Sequence, residues 1–140
     1  MAKATALLGT AFYLVWGVLH IQAGIGVVHL GGNLHEHTMV QGRIYQDAWT
    51  LLFVAAIVMA AALLSPWRAW KACFWLNLGL ATFTDLGFIV FILVPGYAPP
   101  WPGIEGPLAW SLAALFSGWS YLLRSRDPRR MAHATQLATP

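Results

Sequence analysis

Residues 73–94 read CFWLNLGLATFTDLGFIVFILV, an apolar run with a single ionisable residue, Asp85, in its middle. About 20 apolar residues are enough for a helix to cross the ~30 Å hydrocarbon core of a bilayer. A carboxylate at that depth costs about 2.5–3.5 kcal/mol on insertion scales, so it has to face protein, water or a bound partner. The run therefore predicts a membrane helix whose Asp85 points into a bundle.

The composition extends this prediction to the whole chain. Of 140 residues, 59% are hydrophobic and 9% are charged, whereas soluble domains are about 25% charged. We expect an all-α integral membrane four-helix bundle that occupies residues 1–123 as one domain. The predicted helices are 6–28, 44–64, 73–94 and 107–123. Residues 124–140 have the basic composition of a disordered cytoplasmic tail.

The basic residues predict the orientation of the bundle. Arg43 alone lies on one side of the predicted spans, and the other basic residues lie on the opposite side: Lys3, Arg68, Lys71, Arg124, Arg126, Arg129 and Arg130. Because cytoplasmic loops carry the excess of Lys and Arg, both termini are expected in the cytoplasm. The expected location is a bacterial inner membrane. The expected partners are the bilayer, a small lipophilic molecule and other copies of the chain, and not nucleic acid.

The first predicted helix carries a second unusual residue, His20. Tyr13, Gly17, His20 and Gly24 recur at helical spacing and share one face. His20 and Asp85 lie about 12 Å and 13.5 Å from the outer ends of their helices, at 1.5 Å per residue. They are therefore expected at the same depth, either as a catalytic or ligand-holding pair or as a polar pair that only fixes helix packing.

We expect further polar and aromatic residues to surround this pair. Asp47 is a third catalytic candidate, and its expected ion-pair partner is Arg43, four residues earlier on the second helix. Arg43 and Asp47 form either an interfacial salt bridge or the rim of a cavity that descends toward His20 and Asp85. The candidate ligand contacts are Tyr13, Arg43, Tyr45, Gln46, Thr84, Tyr97 and Trp101.

Two outer connections complete the predicted site. His35 and His37 are candidate metal or haem ligands because imidazole binds Zn, Cu, Fe and Ni; the alternative is solvated loop histidines. Thr38 and Gln41 have capping-box spacing, so the second helix is expected to begin as early as Met39. Residues 95–106 are rich in proline and glycine, and predict a rigid lid over the bundle or an anchored turn.

The predicted polar residues are concentrated in the outer half of the membrane, and Asn77 is the exception in the cytoplasmic half. This asymmetry favours a cavity entered from the outer side and argues against a channel, which needs a polar path throughout. We expect the cavity to bind or transform a quinone, a sterol-like lipid or a hydrocarbon. The alternative is a structural or accessory subunit, whose polar residues serve only helix docking.

The segment Thr84-Asp85-Leu86-Gly87-Phe88 with Phe91, the proline-rich loop and the apolar fourth helix resemble styrene oxide isomerases. That resemblance implies a four-helix membrane enzyme that uses histidine-bound haem b to open an epoxide by Lewis-acid catalysis. In this sequence the axial ligand would be His20, His35 or His37. The family's histidine precedes its second helix more closely than His35 and His37 do, and Gln46 or Asp47 stands where the family has an asparagine.

Overall fold

The computed structural model of the protein describes residues 2–34, 38–65 and 70–125. The chain begins with two antiparallel helices, α1 (Ala2–Gly32) and α2 (Met39–Leu64). At 1.5 Å per residue they are about 46 Å and 39 Å long, which exceeds the ~30 Å of a hydrocarbon core. Both helices are therefore longer than the predicted spans 6–28 and 44–64.

The second half of the chain is interrupted by a change of helix type. Helix α3 (Trp70–Phe88) passes directly into a π-helical segment, Ile89–Leu93, and the two together correspond to the predicted span 73–94. A short helix, α4 (Pro100–Gly103), precedes the long helix α5 (Glu105–Ser125). Glu105 lies in the first turn of α5, where a negative charge is favourable.

The described residues are helical apart from short turns, which agrees with the predicted all-α class. Among them, three segments are long and apolar enough to cross a membrane, namely Ala2–Gly32, Met39–Leu64 and Lys71–Leu93. Helix α5 is not one of these, because its serine, glycine and tryptophan residues lower its hydropathy. Large apolar side chains such as Phe83 and Phe91 are 83% and 71% exposed, as expected for a surface that faces lipid.

Small residues set the contact between α1 and α2. Gly17 and Gly24 are seven residues apart on α1, and they face Ala55 and Ala48, seven residues apart on α2. A Cβ atom at Gly24 would lie 2.9 Å from Leu52 Cγ. The glycines therefore let the two backbones approach closely, as small residues do at membrane helix interfaces.

Helix α1 packs against α2 on one side and α5 on the other, while α3 closes the bundle by packing against the same two helices. Helices α1 and α3 thus lie diagonally opposite and meet through side chains. The Ser120 hydroxyl donates a hydrogen bond to the Ala2 carbonyl at 2.9 Å, so α1 begins beside the last turn of α5. We call this the terminal end of the bundle, and the opposite end the loop end.

The connection from α1 to α2 at the loop end is held by polar contacts. The Thr38 hydroxyl accepts a hydrogen bond from the Gln41 backbone N–H, and α2 begins at Met39, which confirms the predicted cap. The Gln41 side chain does not return to Thr38 as in a capping box. Its Nε2 donates to the Gly31 and Leu34 carbonyls at 2.9 and 3.3 Å, and satisfies acceptors at the end of α1.

The core lies along the diagonal between α1 and α3. The predicted face of α1, with Tyr13, Gly17, His20 and Gly24, is buried as expected. The buried apolar cluster consists of Tyr13, Trp16, Val58, Ala62, Ala81, Ala109 and Ala113.

Helix α5 extends to Ser125, so the predicted tail of residues 124–140 begins with two helical residues. The rest of that tail, 126–140, lies outside the described residues.

Candidate functional site

Asp85 is the centre of the buried polar residues. It has no exposed surface, and its Oδ2 accepts a short hydrogen bond of 2.6 Å from the indole N–H of Trp16, which is also fully buried. The bond crosses the bundle from α1 to α3. It supplies the carboxyl group with one of the partners that a buried polar group requires.

His20 completes a three-residue cluster with these two side chains, the Trp16–His20–Asp85 cluster. Its ring stacks on the Trp16 indole with centroids 3.8 Å apart, because residues four apart lie on the same helix face. Its Nδ1 lies 2.9 Å from the Trp16 carbonyl, and its Nε2 lies 3.5 Å from Asp85 Oδ1. The structure thus brings together the two residues that were expected at equal depth.

The hydrogen-bond partners of His20 and Asp85 limit where protons can lie between the two side chains. The Trp16 carbonyl can only accept, so His20 Nδ1 carries a proton, and a neutral imidazole then presents a lone pair at Nε2. That lone pair faces Asp85 Oδ1, which is buried and has no hydrogen-bond partner. Two acceptors face each other, so one proton has to come from an ionised imidazole, a protonated carboxyl or a bound molecule.

The cluster is covered at the loop end by the first turn of α5. A Cβ atom at Gly106 would lie 3.1 Å from His20 Cε1 and 3.6 Å from Asp85 Oδ1. The π-helical segment begins four residues after Asp85, and single π-helical turns within α-helices are frequent at functional sites. Gly106 at the start of α5 therefore covers one side of the pair.

Residues of α2 that were predicted to rim the site are not at the cluster. Asp47, Arg43 and Gln46 are exposed, because they lie on the side of α2 away from Ala48, which is buried against α1. Arg43 donates to Gln46 Oε1 at 2.8 Å and not to Asp47. Tyr45 is 41% exposed and packs on Gly31. The structure therefore does not bring Asp47 together with His20 and Asp85.

Four other predicted contacts are also distributed away from the pair. Tyr97 and Trp101 are 79% and 68% exposed, so the lid segment carries its aromatic side chains outward. The Thr84 hydroxyl donates to the Leu80 carbonyl within its own helix at 2.9 Å. The Tyr13 hydroxyl lies one helical turn from Trp16 toward the terminal end. The residues that the structure places next to the pair are Trp16 and Gly106.

His20 does not fit the role of a haem axial ligand. Both ring nitrogens face protein groups, one face of the ring is covered by Trp16, and the adjacent Asp85 leaves no exposed surface for a macrocycle. His35 and His37, the other candidates, lie outside the described residues. Within residues 2–34, 38–65 and 70–125, no three His, Cys, Asp or Glu side chains are grouped to hold a metal ion.

Sequence reasoning missed two features. Trp16 was not assigned to the site, although it lies four residues before His20 and a buried indole N–H needs a partner. A polar pocket also lies at the terminal end, where Asn77 was expected to stand alone. This terminal-end pocket is lined by hydroxyl and amide groups from α1, α3 and α5. The sequence pattern of any one of these helices does not show that the groups converge. Its polar lining residues include Thr10, Tyr13, Asn77, Ser117, Ser120 and Arg124.

Comparison with protein-family models, with curated protein sequences and with solved structures finds no match to this chain.

Proposed function

We propose that the protein is a four-helix integral membrane protein whose Trp16–His20–Asp85 cluster binds the polar group of a small lipophilic molecule. In this proposal α1, α2, α3 with its π-helical segment, and α5 cross the bilayer. Both termini are cytoplasmic, and the loop end faces outward. The observation that carries the proposal is the buried Asp85 Oδ1, which has no hydrogen-bond partner and lies 3.5 Å from His20 Nε2.

A bound molecule is one of the three possible sources of the proton between His20 Nε2 and Asp85 Oδ1, and in this proposal that proton defines the chemical class of the ligand. A hydroxyl group between His20 Nε2 and Asp85 Oδ1 would donate to one acceptor and lie beside the other. This favours a quinol or a sterol-like alcohol over a hydrocarbon, which has no donor. The rest of the molecule would occupy apolar surroundings, as ligands do in pockets with a few convergent polar groups. An imidazole and a carboxyl group this close could also serve as base and acid on such a hydroxyl.

Access requires the loop end to open. The segment between the π-helical turn and α5 makes few contacts with the bundle, and Gly103 packs on Leu93 and Phe88. Movement of this segment together with Gly106 would uncover His20 from the outer leaflet. A lipophilic molecule would then enter laterally from the bilayer, where such molecules are concentrated.

The test compares two aspartate-to-asparagine variants in detergent. A short-chain ubiquinol and cholesterol serve as probes, and the thermal unfolding midpoint is measured with and without each. A ligand at 100 times its dissociation constant adds about 2.7 kcal/mol to the stability of the folded state. We expect at least one probe to raise the midpoint of the unmodified protein and of Asp47→Asn, an exposed control, but not of Asp85→Asn. A protein whose midpoint neither probe raises contradicts the proposal.

The fully buried Trp16–Asp85 hydrogen bond favours a second candidate, an accessory subunit of a larger membrane complex. In that case the cluster serves only to fix α1 against α3. Asp85→Asn would then weaken assembly with partner proteins in mild detergent, and no probe would bind at any variant. Intact assembly in Asp85→Asn together with loss of probe binding would exclude this second function.

A further inference from the structure

The terminal-end pocket is a small space in the half of the bundle away from Asp85, and its lining combines apolar surface with several hydroxyl and amide groups. Its cavity volume is about 30 Å³, which exceeds the roughly 10–15 Å³ that one water molecule requires. Its lining comes from all four long helices, and it reaches the terminal end at Ser65 and Arg124. Its inner wall is formed by Tyr13 and Asn77, which are 3% and 2% exposed.

The pocket contains polar atoms that the protein leaves without partners. The Tyr13 hydroxyl lies close to Ser117 but makes no hydrogen bond of acceptable geometry, and Asn77 Oδ1 has no partner either. Both atoms are buried, and a buried polar group without a hydrogen bond is costly. Two such residues in the lining of one small space indicate that something inside it binds both.

The hydroxyl groups around them define the chemistry of the occupant. Thr10, Ser117 and Ser120 each donate to a backbone carbonyl, of Ala62, Ala114 and Ala2 respectively. Their hydrogens are used, so they present lone pairs to the pocket, as Asn77 Oδ1 does. The occupant therefore has to donate hydrogen bonds and to accept one from Tyr13.

We propose that the terminal-end pocket holds ordered water, shared between Tyr13 and Asn77 and exchanging with solvent at the terminal end. Water has two donors and two acceptors, and it fits the volume. The described lining residues include no carboxylate to favour a cation, and Arg124 at the rim opposes one. An anion would face mainly acceptor lone pairs.

This hydrated site is separate from the Trp16–His20–Asp85 cluster. Val58 and Ala81 have no exposed surface and belong to the apolar core between the two. Ala81 lies on α3 midway between Asn77 and Asp85. Water would therefore reach the Tyr13 hydroxyl from the terminal end and stop one helical turn short of Trp16. The proposal does not depend on ligand binding at Asp85.

The direct test is transfer of magnetisation from water to side-chain protons, measured by NMR on the isotope-labelled full chain in micelles. We expect the Asn77 side-chain amide protons to show contact with water and the Trp16 indole N–H proton to show none. Absence of water contact at Asn77, under conditions that detect it at an exposed asparagine such as Asn33, would overturn the proposal.

Two substitutions give an independent test, because a hydrated pocket and a dry pocket predict opposite changes in the unfolding midpoint. If water satisfies both groups, Tyr13→Phe and Asn77→Leu each lower the unfolding midpoint, and their effects are not additive because they share one partner. If the pocket is dry, each variant removes an unsatisfied polar atom and raises the midpoint. Ser111→Ala, which removes a hydroxyl bonded to the Pro107 carbonyl away from the pocket, serves as the control. A raised midpoint in both variants would contradict the proposal.

Discussion

A single tryptophan explains how a carboxyl group is accommodated at the centre of the bundle. The Trp16 indole N–H is a donor only, and it lies 2.6 Å from Asp85 Oδ2 with both side chains fully buried. A buried acceptor that loses its hydrogen-bond partner costs about 1–3 kcal/mol. Trp16 also supports the His20 ring by stacking, so one side chain orients both ionisable residues.

Trp16→Phe removes this donor while keeping most of the aromatic volume. We expect it to lower the free energy of unfolding by about 1–3 kcal/mol, because neither Asp85 oxygen then has a hydrogen-bond partner. Unfolding by a denaturing detergent, followed by circular dichroism, measures the loss.

Trp110→Phe is the matched control for this substitution. Trp110 donates to the neutral Thr82 hydroxyl at 3.1 Å in a half-buried position, so its loss should cost about 0.5–1.5 kcal/mol. Equal losses in the two variants would show that the bond to Asp85 carries no additional stability.

At the level of elements, glycines determine how closely α1 approaches its neighbours. A Cβ atom at Gly9 would lie 2.9 Å from the Ser117 backbone nitrogen, whereas one at Gly26 would meet nothing within 4 Å. The obstacle at Gly9 is backbone, which cannot rotate away as a side chain can. The same residue type therefore has a packing role at one position of α1 and none at the other.

The two glycines predict substitutions of opposite sign. Gly9→Ala should destabilise the protein by about 1–3 kcal/mol, because the added methyl group forces α1 and α5 apart. Gly26→Ala should stabilise it by about 0.5–1 kcal/mol, because alanine loses less entropy in a helix interior. Both are measured by the same detergent unfolding, and destabilisation by Gly26→Ala would contradict this account of the α1 surface.

Local patterns predicted the elements better than the site. Helical spacing identified the buried face of α1, and Thr38 identified the start of α2, because both depend on neighbouring residues in the chain. Asp47 is exposed and is not brought to His20 and Asp85, because sequence shows that part of α2 is polar but not which side of α2 meets α1. The terminal-end pocket was missed because Tyr13, Asn77 and Ser117 converge from three helices.

For the whole molecule, the charge distribution predicts a single orientation in the membrane. Lys3, Lys71 and Arg124 belong to the terminal end, and Arg43 belongs to the loop end. Positive residues are retained on the cytoplasmic side, so the terminal end should face the cytoplasm. The proposed entry of a ligand under α5 would then occur from the outer leaflet.

Cysteine labelling in intact cells tests this orientation. The chain has one cysteine, Cys73, which is buried, and its replacement by alanine gives a cysteine-free background. Gly42→Cys at the loop end should react with a membrane-impermeant maleimide from outside, and Ser125→Cys at the terminal end should react only after lysis. The reverse pattern would invert the predicted topology.

We propose that the Trp16–His20–Asp85 cluster binds a ligand. The chemical shift of the Trp16 indole N–H proton should then change when the ligand binds. We would titrate the labelled protein in micelles with the short-chain ubiquinol and with cholesterol while recording the indole resonances. The account predicts that at least one probe shifts the Trp16 resonance in a saturable manner and leaves that of Trp110 unchanged. A Trp16 resonance that neither probe moves, in a protein that remains folded, would contradict the claim.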